Sequence, residues 1–152
     1  MTNYSEYIPE ELARKLLDWD YPLFNYKGGT YDGKPYFDIP GYDESGWVDG
    51  NRYQIPTFGE VIDWFAYNKK IIIILEPFFT YSLRDNIAYN WKIYYMDPEL
   101  GLVLRTEDDE YKPGDGYGGS FKLTATAAIE SAMKIGDKSV EVKYIEVNID
   151  EL

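Results

Sequence analysis

Any proton transfer in this chain would fall to carboxylates, tyrosines and lysines, because its 152 residues include no histidine and no cysteine. Imidazole general bases, serine triads, thiol nucleophiles and thiolate metal sites are thereby removed, and zinc would need an unusual all-oxygen site. Paired Asp or Glu can hydrolyse glycosides when held about 5 to 10 Å apart, but no local motif singles out such a pair. Glu107-Asp108-Asp109-Glu110, followed by Asp115-Gly116, offers the oxygens calcium takes, yet the spacing fails the EF-hand pattern and reads as a solvated charge run. Gly114-Asp115-Gly116-Tyr117-Gly118-Gly119 lacks the Lys-Ser/Thr ending of a phosphate-binding loop and the helix a dinucleotide fingerprint requires. We therefore expect no cofactor, no resident metal and no catalytic residues, with an enzyme the lesser expectation.

What the chain holds in excess is aromatic surface: 16 Tyr, 7 Phe and 4 Trp. Tyr and Trp combine large contact area with a polar handle, which suits them to binding. They are densest where Tyr31, Tyr36, Phe37, Tyr42, Trp47 and Tyr53 alternate with Asp32, Asp38, Asp43, Glu44 and Asp49. The candidate binding residues are Tyr36, Tyr42, Asp43, Glu44, Trp47 and Tyr53, joined by Asp108 and Asp109 from the acidic run. The competing reading is that the aromatics plug a sheet edge while the acids face water.

Charge narrows the choice of partner. Against 27 Asp and Glu stand 15 Lys and Arg, a formal charge of -12, so the summed field repels phosphate backbones and anionic lipid. Direct binding to nucleic acid or membrane is not expected; a basic partner protein suits this field, as does plain solubility. The longest aliphatic run, Ile71 to Leu75, is too short to span a bilayer, and Met1 to Glu6 lacks the basic, apolar start of a secretory signal. A cytoplasmic protein is the expectation.

The elements that would position these residues can be read from periodicity and caps. Pro9 ahead of Glu10 and Glu11 suits a first helical turn, and Leu12, Leu16 and Leu17 supply an apolar face, so a helix is expected over residues 9 to 19. Residues 23 to 26 and 35 to 39 could pair as a hairpin across the Gly28-Gly29 and Asp32-Gly33 turn signals, with residues 40 to 51 as an ordered loop. Thr57 and Glu60 stand in the capping-box relation, Phe58, Val61, Ile62 and Phe65 follow the helical period, and Asn68-Lys69-Lys70 makes a polar end. Ile71 to Leu75 reads as a central strand covered on both faces.

Further on, Ile87, Tyr89, Trp91, Ile93 and Tyr95 alternate with Ala88, Asn90, Lys92, Tyr94 and Met96, as in a half-buried strand lying beneath a helix. A turn at Asp97 to Gly101 leads to a strand over residues 102 to 106. A long acidic, glycine-rich loop then precedes a last helix expected from Thr124 as cap to Gly136. Alternation in Val140, Val142 and Tyr144 continues out of phase in Ile145, Val147 and Ile149, as a β-bulge would produce. The sum is a single α+β domain, a mainly antiparallel sheet packed against two to three helices.

Tyr36-Phe37, the helix start Ile55-Pro56-Thr57-Phe58-Gly59-Glu60-Val61-Ile62-Asp63-Trp64-Phe65, the Trp-centred strand at Asn90-Trp91-Lys92-Ile93 and the closing Ala-rich helix resemble small uncharacterised proteins of bacterial phages and integrated mobile elements. The resemblance covers residues 30 to 135 and implies that genomic setting and the fold, with no mechanism attached. Three functions follow from the residues themselves. The first is a non-enzymatic acidic accessory protein that binds another protein, a basic or nucleic-acid-handling one, by presenting aromatics framed by carboxylates. The alternative is a small-ligand or carbohydrate-binding module that stacks its ligand on exposed Tyr and Trp. A carboxylate-dependent hydrolase is third, and an aromatic patch including Trp64 would equally suit a homodimer interface.

Overall fold

The computed structural model describes residues 3–19, 21–26, 33–79, 87–97, 102–107, 120–137 and 145–146, with backbone alone for residues 42–43, 47–49, 78–79, 97, 102–107, 137 and 145–146. Its described elements are helices α1 (Glu10–Trp19), α2 (Phe58–Trp64) and α3 (Phe121–Asp137), and strands β1 (Tyr36–Asp43), β2 (Gly46–Gln54), β3 (Ile71–Phe79), β4 (Ile87–Asp97), β5 (Leu102–Glu107) and β6 (Ile145–Glu146). All strand pairings are antiparallel, which makes the chain an α+β protein. The strands form two sheets, β1-β2 and β3-β4-β5-β6, where a single sheet was expected. The chain gathers into two compact units, residues 1–58 and 59–152.

In the first unit α1 begins where Pro9 and the acidic first turn place it and buries Leu12, Ala13 and Leu16. The Tyr21 N–H donates to the Leu16 carbonyl at 2.8 Å and closes its end. The hairpin differs from expectation: β1 pairs with β2, and the stretch read as a loop over residues 40 to 51 is mostly strand. Residues 24 to 26 instead run along the other edge of β2, with Tyr26 N–H on the Arg52 carbonyl at 2.7 Å and Gln54 N–H on the Phe24 carbonyl at 2.8 Å. The glycines that suggested a loop have specific work. Gly46 follows the Glu44-Ser45 turn with φ 117°, a conformation L side chains rarely adopt. Opposite Pro40, two residues of β2 stand against one of β1, a bulge in which a Cβ on Gly50 would collide with the Ile39 carbonyl.

Isolated backbone pairings also tie the start of this unit to its end. Ile8 N–H donates to Pro56 O at 3.0 Å and Phe58 N–H to Glu6 O at 2.9 Å. α2 begins directly after Thr57, as the capping pattern predicts, and runs into a π-helical turn over Phe65–Lys69. That turn ends at Lys70 in the left-handed region, φ 58°, with its N–H on the Phe65 carbonyl.

In the second unit β3 is, among the described strands, a terminal one of its sheet, not the central one expected, and only one of its faces is covered: Ile71, Ile73 and Leu75 are buried while Ile72 and Ile74 are exposed. Trp91 and Ile93 of β4 pair with Leu75 and Ile73 and continue the buried face. α3 lies against β3 and β4. Its buried stripe of Phe121, Ala125, Ala128, Ile129, Ala132 and Ile135 recurs every three or four residues, as a helix with one core-facing side requires. This helix starts one turn earlier than expected. The Ser120 hydroxyl, not that of Thr124, accepts an N–H of the first turn, from Leu123 at 3.2 Å, while the Thr124 hydroxyl donates to the Tyr89 carbonyl at 3.1 Å. Phe121 meets Tyr89 edge-on at 5.3 Å, so the helix start is fastened to β4 by one polar and one aromatic contact. β6 pairs with β5 through Ile145 and Glu146; the rest of the expected last strand lies outside the described residues.

Candidate functional site

The sequence-chosen residues separate along the hairpin. Tyr36 pairs with Gln54 and Tyr53 with Phe37, so alternation puts the two tyrosines on opposite faces at its base. Tyr42 pairs with Trp47 and Asp43 with Gly46 at the far end, where exposed Glu44 stands in the turn. About 3.3 Å per residue sets Tyr36 roughly 23 Å from Asp43 along the strand, too far for one compact site. The side chains of Tyr42, Asp43 and Trp47, and the whole of Asp108 and Asp109, lie outside the described residues, as does the calcium candidate of Glu107 to Glu110 with Asp115-Gly116, apart from the Glu107 backbone.

At the hairpin base the polar groups are spent on one another. Arg52 donates to both carboxylate oxygens of Asp38, at 2.8 and 3.1 Å, and its guanidinium lies 4.0 Å from the Tyr36 ring centroid. Arg14 reaches the Asp38 carbonyl at 3.4 Å and sits 4.8 Å from the Phe37 ring, while bonding Glu10 one helical turn away at 3.1 Å. On the opposite face Tyr53 stacks on buried Phe37 at 5.7 Å. The forked hydrogen bond from Arg52 lowers the Asp38 carboxyl from its ordinary value, against an opposing effect of desolvation and with help from the arginine's charge. A carboxylate held in its charged form this way is a poor general acid and a good anchor for an arginine.

The outward face of β3 and β4 is built differently. Ile72 and Ile74 are 51% and 38% exposed, and Met96 47%. Ile72 pairs with half-buried Tyr94, and Met96 follows two residues along β4 on the same face, so these positions are neighbours across the two strands. Below them Ile74 pairs with Lys92, which reaches along the face to Glu76 at 3.1 Å. Asn90, next on this face, keeps its Oδ1 buried and without a hydrogen-bond partner among the described residues. Sequence reasoning missed this face because four successive isoleucines suggest burial on both sides. The overlooked signal was in β4, where the outward positions change from Asn90 and Lys92 to Tyr94 and Met96.

Among the described residues no group of three or more acidic side chains is arranged to hold a metal ion, and no helix is long and apolar enough to cross a membrane. Comparison of the chain with family models, with curated proteins and with solved structures returns no match.

Proposed function

We propose that the chain is a non-enzymatic binding protein that docks a basic protein on the outward face of β3 and β4. The observation that carries this reading is the contiguous exposure of Ile72, Ile74 and Met96 around Tyr94. Water-facing aliphatic side chains grouped across paired strands mark a surface to be covered more often than scattered ones do. The formal charge of -12 supplies the other half: it steers a cationic partner, and the apolar strip provides area once contact is made. An accessory role alongside a nucleic-acid-handling enzyme suits such a field, because an acidic surface can occupy a groove that accepts phosphates.

The ligand-binding alternative needs aromatic platforms open to solvent. Of the aromatics the sequence singled out, Tyr36 is stacked under Arg52 and Tyr53 on Phe37; exposed Phe24 and Tyr67 lie outside that cluster, which favours the protein-binding reading over it.

The test is capture from nuclease-treated bacterial lysate at low and high salt, by the wild-type chain and by Met96→Lys, followed by rebinding of each captured protein in pure form. A basic protein held at low salt by the wild type, released by high salt and lost with Met96→Lys is the expected result. Equal capture by the variant, or none by either, would overturn the reading. Because Met96 is exposed, Met96→Lys should change stability by no more than about 0.5 kcal/mol, which denaturant unfolding checks.

A further inference from the structure

The edge of β3 away from β4 is a second surface, distinct from its outward face. Among the described residues β3, a nine-residue strand, pairs with β4 alone, and none of them forms a strand on its other side. Edge strands are ordinarily blunted by charges, prolines or bulges, since their unpaired N–H and C=O groups template further pairing. Here Glu76 and Pro77 stand only toward the far half, and Ile71 to Leu75 carries neither charge nor proline. No irregularity interrupts its register with β4.

We infer that β3 pairs with β3 of a second copy of this chain, antiparallel about a twofold axis at Ile73, joining two four-stranded sheets into one. The sequence selects this register over its neighbours. Centred on Ile73, Ile71 faces Leu75 and Ile72 faces Ile74 of the second copy, so every residue in the paired stretch has an N–H to give. Moving the axis to Leu75 would draw Pro77, which has no N–H, into the ladder and set Glu76 against Ile74.

Charge agrees with the same register. It sets Lys70, which precedes the strand in the left-handed region, level with Glu76 of the other copy, where it would add a second cation to the one Lys92 already supplies. An isologous contact of this kind repeats each favourable pair twice and closes on itself, leaving no further β3 edge free for a third copy. On the α3-covered side Ile71, Ile73 and Leu75 would continue one buried layer into the next, and on the outward side the two Ile72–Ile74 pairs would meet in a single patch. The net negative charge of each copy opposes association, so added salt should tighten the dimer, the reverse of its effect on a basic partner.

The inference stands independently of the docking reading and is tested without any partner protein. Sedimentation of the full chain over a concentration series should show a reversible species of twice the 17.7 kDa chain mass, strengthened by salt. Ile74→Lys, placed at an exposed position, should remain folded by circular dichroism and sediment as a monomer. The absence of cysteine permits a direct reading of register: Ile72→Cys mixed with Ile74→Cys should oxidise to a cross-linked dimer faster than either variant alone, since only the mixture brings the two sulfurs directly opposite. A wild type monomeric at every concentration, a dimer undiminished in Ile74→Lys, or a mixture that cross-links no faster than its components would each overturn the inference.

Discussion

The hairpin β1-β2 and the strand pair β3-β4 are both antiparallel and both dense in large side chains, yet they meet water in opposite ways. The hairpin carries aromatics and charges that satisfy each other: Arg52 lies between Asp38 and Tyr36, and Tyr53 lies on Phe37. The β3-β4 pair carries aliphatics on its outward face with one ion pair beneath them, and Ile72, Ile74 and Met96 remain exposed. An abundance of Tyr and Asp therefore does not locate a binding surface. A polar aromatic can find a partner nearby, whereas an outward isoleucine can be covered only by something else.

The largest effect should come from the covered side of the larger sheet. Ile93 is fully buried, and Ile93→Ala removes three carbons from a close-packed layer, so a loss of about 2–5 kcal/mol in urea unfolding is expected. A loss as small as that of an exposed residue would mean the two faces of this sheet are not as unlike as described. Next is the hairpin bulge. Gly50→Ala places a methyl against the Ile39 carbonyl, and backbone displacement should cost about 1–3 kcal/mol by the same measurement. An unchanged midpoint would show the hairpin to be pliant where the geometry says it is closed.

The smallest effect sharpens the comparison most. In Arg52→Ala the Asp38 carboxyl loses the hydrogen bonds that lower its pKa, and its titration, followed by carbon NMR, should move up toward the ordinary carboxylate value. The sign for stability follows: a lowered folded pKa contributes above the unfolded carboxylate range and is lost as pH falls through the folded value, so Arg52→Ala should flatten this part of the acid limb. At such exposed positions the change in stability should be slight and further reduced by salt. An unmoved Asp38 titration would show that the pair does not hold in solution.

Helices were legible in the sequence because their ends are chemical. Pro9 with two glutamates, and Thr57 with Glu60, mark starts that the backbone follows, although Thr124 misled because Ser120, one helical turn earlier, serves the same role. Strand partners were less legible. Asp49 and Gly50 are turn residues by type, but here they form a bulge, and nothing local distinguishes the two uses. The position of β3 at the edge was unreadable for the same reason: a run of isoleucines reports burial in general and not the number of faces buried. Of the proposed site, Tyr36 and Tyr53 are seen engaged within the hairpin, and the outward aliphatics went unnoticed because composition drew attention to rings and acids.

The four isoleucines at the start of β3 have one more implication. Shifting a strand by one residue exchanges its faces, and over Ile71 to Ile74 that exchange replaces isoleucine with isoleucine, so half the strand holds no information about which way it should lie. The decision rests on the next two residues, Leu75 facing inward and Glu76 reaching Lys92, and on the π-helical turn that counts the chain into the strand through Lys70. Gaining or losing a single residue in that turn would leave a strand whose composition tolerates either phase, with one glutamate left to reject the wrong one.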